Sequence, residues 1–571
     1  MSLLDWIVLF GAVVGIAAYG AWRTRHTDHL DTYLKGSRTT GWFTIGLSVA
    51  ATQASTITYL SLPGQAYENG IAFIQNYFGL PLALILVCAV FLPIYRKLGV
   101  YTAYEYLGQR FDRKTRLLGA GLFLVQRGIQ AGITIYAPAI ILAAMLGWRL
   151  DFIIIGIGLV AIIYTVTGGS AAVNLTQKWQ MAVIWTGMLT AFGILLSRLP
   201  DHATAIAGVM GKLEAVDFTP DPHVRYTLWS GLLGGFFLSL SYFGTDQSQV
   251  QRYIGGAALR EGRLGLMFNA VLKIPMQFFI VMLGALLFVF YQSQPDTPLV
   301  FNRAAWQQQL NGPRGAEFRS LEERHAALHA DQLGKIKAWT SARASGDEAA
   351  IAAARAELRA AQQALRDVRT EGRAALQAAA PDTKKTKDSD FVFITFILTQ
   401  LPHGLIGLLI AVMFASALSS KAGELNALGT TTTIDLWRQL RPMAVHDEAR
   451  NVRAAKWFTA AWGVFAIGFA LFARFAENLI EALNIVASVF YPPLAGVFLV
   501  AFFFKKVGGT AVFCAAIVTQ CLLLGLFYFA RDSVAYLYLN PIGCAACVLF
   551  SLLFQAVLPK PSTGGNGVNG E

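Results

Sequence analysis

The feature that most constrains this chain is a series of long apolar runs that carry almost no charge. A segment crosses a bilayer only as a hydrogen-bonded helix of about 20 apolar residues or as a strand of a closed barrel. The runs do not alternate between apolar and polar residues, which excludes a barrel. The sequence therefore predicts an all-α multispanning membrane protein with thirteen transmembrane helices, at 3–22, 42–67, 71–95, 117–146, 152–167, 179–197, 227–248, 264–291, 391–420, 454–473, 478–504, 509–530 and 532–557.

The composition favours a membrane protein over a soluble enzyme or a nucleic-acid-binding protein. Hydrophobic residues make up 55% of the 571 residues and charged residues only 14%, whereas a soluble protein carries about a quarter charged residues. The formal net charge of +12 does not indicate a nucleic-acid partner, because the basic residues lie between the apolar runs and not on one soluble face.

One segment departs from the apolar pattern. Residues 292–390 hold 28 of the 80 charged residues, and we predict that they form a helical insertion outside the membrane. The chain then divides into a peripheral first helix with its cytoplasmic loop, spans two to eight, the insertion, spans nine to twelve, and a last helix with a disordered tail. The predicted boundaries are 1–41, 42–291, 292–390, 391–530 and 531–571.

Two stretches of the insertion have the pattern of paired helices. Apolar residues recur at steps of three and four from Ile351 to Val368, which predicts an amphipathic helix. A second stretch, near 315–340, carries Leu321 and Trp339 and could complete an antiparallel hairpin. A hairpin that packs on itself is favoured over a surface that binds a protein partner, and both explanations stay open.

The distribution of basic residues predicts the orientation in the membrane, because short loops rich in Lys and Arg stay in the cytoplasm. With the N-terminus outside and the C-terminus in the cytoplasm, the predicted cytoplasmic stretches hold 23 basic residues and the short outside loops six. The first run contains Asp5 and is followed by Arg23, the reverse of a cleaved signal. We expect an integral protein of a bacterial inner (cytoplasmic) membrane.

Two of the predicted spans contain polar residues that would interrupt a helix. Span two runs through Gln53 and Thr58 to Pro63-Gly64, and span seven ends in Tyr242-Phe-Gly-Thr-Asp246. Polar groups in hydrocarbon cost free energy and mark functional sites. Two broken helices separated by five spans are typical of a transporter built from inverted five-helix repeats, with its binding sites at the breaks.

Span nine carries three serines, Ser416, Ser419 and Ser420, on one helical face. Na⁺ is a small hard cation, and serine hydroxyls together with carbonyls freed at a helix break supply the neutral oxygens that it binds. Close helix packing is the alternative explanation for the serines. The broken second span favours the cation.

These residues carry a resemblance to a known family. The chain is similar to the sodium/solute symporter family at Gly168-Gly169, at Gln249-Val-Gln-Arg252, and at Ser419-Ser420 with Asn426 and Asp435 beyond it. The likeness covers nearly all spans and excludes the insertion. It implies a LeuT-like core of two inverted five-helix repeats, spans two to eleven, with Na⁺ as the coupling ion.

The resemblance also implies the sodium ligands: the carbonyl groups of Ala51, Ala54 and Ser416 and the hydroxyl groups of Ser419 and Ser420. A second sodium site in relatives depends on an acidic residue after the double glycine. This chain has Thr-Gln-Lys-Trp-Gln at 176–180 instead. We therefore predict one Na⁺ per transport cycle.

Three residues match solute-contacting positions of the family. Tyr242 corresponds to a residue that packs beneath the substrate as an inner gate, and Lys273 corresponds to a substrate-contacting lysine. Asn484 stands where relatives have a substrate-binding glutamine.

The sugar branch of the family fits this chain poorly. Its sugar-binding glutamate, glutamine and asparagine correspond here to Tyr77, Thr58 and Ser239. Glucose or galactose is therefore not expected. The segment Ile133-Thr-Ile-Tyr-Ala-Pro138 is instead similar to the iodide, multivitamin and monocarboxylate branch.

Two cations inside the predicted spans favour an anionic solute. Arg127 lies deep in span four, where an arginine is costly unless it meets an anion or a water-filled cavity, and its planar fork suits a carboxylate. Because Lys273 is a second such cation and the predicted spans hold few carboxylates, we expect a small carboxylate-bearing solute to be imported with Na⁺. Alternatively, both cations pair with protein groups such as Asp246 or extend to water.

Other functions fit the sequence less well. A sodium-coupled sugar or amino-acid symporter of the same fold is the nearest alternative, and a transporter-like receptor or channel that senses a ligand through the insertion is a further one. The sequence contains no HExxH, GxSxG or nucleotide-binding loop, so an enzyme is not expected. The expected partners are a small solute, Na⁺ and the lipid bilayer, and no nucleic acid.

Overall fold

The architecture comes from a computed structural model that describes residues 2–23, 41–53, 55–380, 387–440, 448–472, 478–530 and 533–558. These residues are helical almost throughout. The helices are α1 (Leu3–Arg23), α2 (Trp42–Gln53), α3 (Thr56–Asn69), α4 (Leu80–Leu86), α5 (Leu92–Leu98), α6 (Ala103–Arg110), α7 (Arg113–Leu146), α8 (Leu150–Ser197), α9 (Ala203–Val209), α10 (Gly235–Thr245), α11 (Gln247–Ile254), α12 (Leu259–Ser293), α13 (Arg303–Leu310), α14 (Gly315–Ser345), α15 (Glu348–Ala379), α16 (Val392–Gln400), α17 (Leu405–Thr431), α18 (Glu448–Phe472), α19 (Leu479–Phe503), α20 (Gly509–Phe529) and α21 (Leu539–Val557).

Many of these helices are suited to a membrane. Within the described ranges, seven segments are long and apolar enough to cross a bilayer: Thr56–Leu98, Arg113–Ile140, Leu259–Ser293, Ala449–Phe472, Leu479–Phe503, Gly509–Phe529 and Tyr536–Val557. Three shorter apolar segments lie at Leu3–Ala12, Leu150–Val166 and Met181–Ser197. Large apolar side chains such as Trp457, Phe472 and Phe529 are exposed on the outer surface, which suits contact with hydrocarbon. The predicted number of thirteen spans is not confirmed by these segments.

The two predicted helix breaks are present. α2 ends at Gln53, and Ser55 at the start of α3 has extended backbone (φ −76°, ψ 169°). Asp246 separates α10 from α11 with φ −79° and ψ 119°, and its carboxylate caps α11 by accepting a hydrogen bond from the Ser248 amide at 2.8 Å. A carboxylate at this position stabilises a helix N-terminus.

Close packing holds the broken helices in place. α12 packs along both α2 and α3, and it approaches α3 so closely that a Cβ atom on Gly284 would overlap the Pro63 backbone. α19 packs against α7 and α10, and α17 packs against α7 and α8. These eight helices form the interior of the membrane body.

Two parts of the predicted span pattern are wrong. The predicted loop between spans five and six, 168–178, is helical, because α8 is continuous from Leu150 to Ser197. Gly168-Gly169 costs helix stability but forbids no helix, and Lys178 is the only charge between the two apolar segments. The predicted span 391–420 is two helices, α16 and α17, separated at Pro402 and Gly404. Gly404 has φ 88°, a conformation that favours glycine.

The insertion contains the predicted helix pair. α14 and α15 pack together across a turn in which Gly346 is left-handed (φ 71°) and Asp347 caps α15. Leu321, Leu365 and Val368 share a small apolar core. The pair also packs on the membrane body, since Arg369 Nη1 donates to the Tyr67 hydroxyl at 2.7 Å.

Two histidines are buried where α14 faces the body. His325 and His329 stack with ring centroids 5.9 Å apart, and His329 Nε2 lies 2.6 Å from the Gln294 carbonyl oxygen. Burial, followed by the charge of Arg369, lowers the pKa of His325 to about 3. Burial also lowers the pKa of His329.

Acidification is expected to loosen the insertion. In the unfolded state each histidine has a pKa of about 6.5 and becomes protonated below that pH, whereas in the folded state both histidines stay neutral. The folded insertion therefore loses stability as the pH falls below about 6.5. For His325 the expected loss is roughly 1.4 kcal/mol per pH unit between pH 6.5 and its folded-state pKa of about 3. His329 adds a loss of the same sign. Hydrogen exchange of residues 315–379 between pH 7.5 and pH 5 measures it. His325→Asn should flatten the dependence, and a variant of exposed His223 should leave it unchanged; equal protection at both pH values would contradict this expectation.

Candidate functional site

The two helix breaks border one interior cavity of about 140 Å³. At about 10–15 Å³ per water, it has room for a small organic solute. All seven residues predicted to face the solute line it: Thr58, Tyr77, Arg127, Ser239, Tyr242, Lys273 and Asn484. They come from six elements and from positions up to 426 residues apart in the chain. Their convergence on one cavity is a structural finding, and their contact with a solute stays a prediction.

Lys273 extends into this cavity. Its side chain on α12 is 3% exposed, and its Nζ lies 5.4 Å from the centroid of the Tyr77 ring. Within the described residues, no carboxylate or hydrogen-bond acceptor reaches Nζ. A buried cation of this kind costs free energy unless an opposite charge approaches it. Lys273 is therefore suited to meet an anion in the cavity.

Arg127 lines the same cavity but is already paired. Its Nη2 forms an ion pair with Asp246 and lies 3.0 Å from the Tyr491 hydroxyl. Its Nη1 lies 3.4 Å from Glu424 Oε1. The alternative explanation, pairing with Asp246, therefore applies to Arg127, and the expected scarcity of carboxylates inside the membrane is wrong at this position.

A polar network missed by the sequence reasoning extends from Arg127 into α17. Lys421 donates to Glu424 Oε2 at 2.9 Å and to the Ala131 carbonyl oxygen at 2.7 Å, and Thr134 also donates to Glu424. Lys421 is 1% exposed, although the sequence placed it in a cytoplasmic loop after 420. The available signal was its spacing: Lys421 and Glu424 are opposite charges at i and i+3, directly after the serines.

Tyr242 lies between the cavity and this network. Its hydroxyl accepts a hydrogen bond from Gln249 Nε2 at 2.7 Å, and the Arg127 guanidinium lies 5.5 Å from its ring centroid. The ring also lies 6.2 Å from that of Tyr491. A third ring contact, to Phe243, has a centroid distance of 5.0 Å. Tyr242 therefore forms one wall of the cavity.

Two of the predicted sodium ligands, Ala51 and Ser420, are described, and they lie on the neighbouring helices α2 and α17. Ala51 is in the last turn of α2, where carbonyl groups have no amide four residues further along the helix. Thr56 at the start of α3 donates to the Met413 carbonyl oxygen of α17 at 2.5 Å, which joins the two elements. Ser420 is 2% exposed, and its Oγ has no hydrogen-bond partner within the described residues.

The other predicted ligands are described in part or not at all. Ser416 and Ser419 lie in α17, but their side chains are outside the described residues, and so is Ala54. The side chains of residues 167–180, which include the substituted acidic position, are also outside them. The two ligand atoms that are described are the Ala51 carbonyl oxygen and the Ser420 hydroxyl oxygen. Both are neutral oxygens, which fit Na⁺.

Comparison with known proteins assigns the fold and the family. The Sodium:solute symporter family is matched over residues 33–299 and 372–519, which is well over half of the chain. The match omits most of the insertion. A solved Na⁺-coupled sialic acid symporter, in a substrate-bound outward-open state, superposes with a TM-score of 0.74 at 22% identity, over 98% of this chain and 99% of that chain. The predicted LeuT-like, all-α fold is confirmed.

Two relatives are similar in sequence. The sodium/sialic acid symporter of Proteus mirabilis is 23% identical over 96% of this chain and 94% of its own length. The human sodium/iodide cotransporter is 33% identical over 45% of this chain. The match spans only 41% of the length of that cotransporter.

Proposed function

Because the chain belongs to the sodium:solute symporter family, we propose that it imports a small carboxylate-bearing solute together with Na⁺ by alternating access. The observation that carries the proposal is Lys273, a buried cation that faces the cavity and that no carboxylate of the described residues contacts. The two relatives support an anionic solute, since one is a sodium/iodide cotransporter and the other a sodium/sialic acid symporter. We assign the charge recognition to Lys273 and not to Arg127, because Asp246 and Glu424 already balance Arg127.

Sodium would act on the broken helix. An ion held by the carbonyls of Ala51, Ala54 and Ser416 and by the hydroxyls of Ser419 and Ser420 would fix the end of α2 against α17. The cavity lies directly beside this break and includes Thr52 and Gln53 of the last turn of α2. Ordering this turn would complete the solute site, so each ligand raises the affinity of the other by the same factor.

The solute would be released past Tyr242, on the side of this ring that faces away from the cavity. When Na⁺ leaves in a sodium-poor compartment, α2 loses its tie to α17, Tyr242 moves from the cavity wall, and the solute follows. We propose one Na⁺ per cycle. One Na⁺ with a monovalent carboxylate moves no net charge, whereas one Na⁺ with a neutral solute would gain about 2.3 kcal/mol per 100 mV of membrane potential.

Removing the Ser420 hydroxyl is expected to weaken sodium binding, measured as thermal stabilisation by Na⁺. In Ser420→Ala, the sodium concentration for half-maximal thermal stabilisation should rise roughly tenfold, because one ligand oxygen on the cation is lost. The unfolding temperature without sodium should not fall, since the Oγ has no partner in the described residues. Differential scanning fluorimetry with Na⁺ or K⁺ measures both quantities.

A matched control lies on the same helix. Thr430 of α17 donates its hydroxyl to the Asn426 carbonyl oxygen at 2.7 Å and does not line the cavity. In Thr430→Val, the sodium concentration for half-maximal stabilisation should equal that of the wild type. The same concentration in Ser420→Ala and the wild type would contradict the assigned ion site.

A further inference from the structure

A second cavity, of about 160 Å³, lies between the insertion and the membrane body. One wall is α15 of the insertion, and the opposite walls are the ends of α3 and α12 and the residues that lead into α16. It shares no lining residue with the interior cavity. Any ligand bound here would contact both the insertion and the body.

The charges around this cavity do not balance. Four basic residues, Lys212, Arg366, Arg369 and Arg373, and two acidic residues, Glu68 and Asp388, line it. Arg373 is paired with Glu68 at 2.8 Å, and Asp388 Oδ1 accepts a hydrogen bond from the Asn302 amide at 2.9 Å. Two positive charges are therefore in excess.

Lys212 is the buried cation on which the excess positive charge has the largest effect. Its side chain is 5% exposed, and its Nζ donates to the Glu68 backbone carbonyl at 2.5 Å and lies 4.3 Å from the Phe288 ring centroid. Within the described residues it has no ion pair. Burial, and next the charge of Arg366, lowers the pKa of Lys212 to about 7. A bound anion would offset both effects, because its opposite charge stabilises the charged amine of Lys212.

Three buried polar side chains of the cavity are also without partners. Gln292 is 2% exposed, Gln362 4% and Ser389 1%. Among the described residues, no hydrogen bond reaches Gln292 Oε1, Gln362 Nε2 or Ser389 Oγ. Buried polar groups without partners are rare and costly, and they indicate a bound water, ion or ligand. The Gln362 amide and the Ser389 hydroxyl can donate to an oxyanion, and the Gln292 amide can do so after a flip.

We propose that this cavity is a binding site for a small oxyanion, a carboxylate or a phosphate-like ion, which bridges the insertion to the membrane body. Lys212 and Arg369 supply buried charge, Arg366 supplies charge at the rim, and Gln362 and Ser389 supply hydrogen-bond donors. Polyatomic oxyanions suit this set because they accept several hydrogen bonds at once. The site does not depend on the proposed transport function, because it shares no residue with the interior cavity.

The test uses the full chain in lipid nanodiscs with sodium phosphate as the probe and sodium chloride at matched ionic strength as the reference. Phosphate should raise the unfolding temperature in a saturable manner. In the double variant Gln362→Leu with Arg366→Gln, the Kd for phosphate should rise about tenfold or more, because a donor and a charge are lost. Arg366 is exposed on the surface of α15, so its replacement should not impair folding.

Matched variants separate binding from packing. Gln332 of α14 is also fully buried, and both of its amide atoms are without partners within the described residues, but it does not line the cavity. Gln332→Leu should keep the wild-type Kd. Lys273→Met should also keep it, so loss of the interior site does not hide the result.

The outcomes decide the proposal. A saturable phosphate effect that is weakened only in the double variant supports it, and repeating the titration with the transported carboxylate shows whether the solute itself can occupy the site. The proposal is overturned if phosphate stabilises the protein no more than chloride does. It is also overturned if the double variant binds phosphate with the wild-type Kd, as the Gln332→Leu control is expected to do.

Discussion

Replacing Lys273 by methionine is expected to abolish solute transport while leaving the protein at least as stable as the wild type. Lys273 is buried, faces the interior cavity and has no carboxylate partner in the described residues. Removing the cation that pairs with a bound carboxylate costs roughly 2–5 kcal/mol, so solute affinity should fall on the order of 100-fold or more. Without solute, an unpaired buried charge only destabilises the fold, and methionine fills the same space with an apolar chain.

The measurement pairs solute uptake by proteoliposomes with thermal unfolding. Gln277, one turn further along α12, is a matched control because it is buried, its amide has no partner in the described residues, and it does not line the cavity. Gln277→Met should transport normally. Sodium-dependent stabilisation should persist in Lys273→Met. Wild-type uptake by Lys273→Met would show that the solute does not depend on this charge.

Replacing Arg127 by methionine is expected to have the opposite effect on stability. Arg127 is paired with Asp246 and also contacts Glu424 and Tyr491. Glu424 keeps Lys421 as a partner in the variant, but Asp246 would be buried without a cation. Breaking a buried pair from one side costs roughly 3–5 kcal/mol. A large fall in unfolding temperature is therefore expected, with or without sodium.

A second replacement, at Asp246, tests whether the unpaired carboxylate causes the loss of stability. Asp246→Asn in the Arg127→Met background removes the orphaned charge and keeps the hydrogen-bonding oxygen that caps α11. The double variant should recover most of the lost stability, because replacing both members of a buried pair is often neutral. A double variant no more stable than Arg127→Met would show that Arg127 stabilises the body through other contacts.

The helix breaks and the cavity residues could be predicted from sequence because their signals are local. Polar side chains inside an apolar run mark places where a membrane helix can break, so the segments around Gln53 and Asp246 predict the two breaks. Pro63-Gly64 does not interrupt the helix, since it lies inside α3. Family likeness supplied Tyr242 and Lys273. Their convergence on one cavity with Arg127 follows from the fold, which no local pattern specifies.

The sequence offers Asp246 as one possible partner of Arg127, because both residues lie inside predicted spans. Glu424 could not be predicted as the second partner, because it is 297 residues from Arg127 and outside the predicted spans. The error at Lys421 has a clearer cause. The predicted span nine ends at 420, directly before Lys421, whereas α17 continues to Thr431 and Glu424 neutralises Lys421 inside the protein. Hydropathy detects the cost of a charge but not the partner that offsets it.

Sodium-driven accumulation by proteoliposomes tests the central claim most directly. Reconstituted wild type and Lys273→Met would be given pooled carboxylates, sugars and amino acids under an inward Na⁺ or K⁺ gradient, with internal solutes identified by mass spectrometry. We expect the wild type to concentrate a carboxylate only under the Na⁺ gradient, and Lys273→Met to concentrate none. Accumulation of a neutral sugar to the same level by both proteins, or accumulation that is equal in K⁺, would contradict sodium-coupled import of a carboxylate through Lys273.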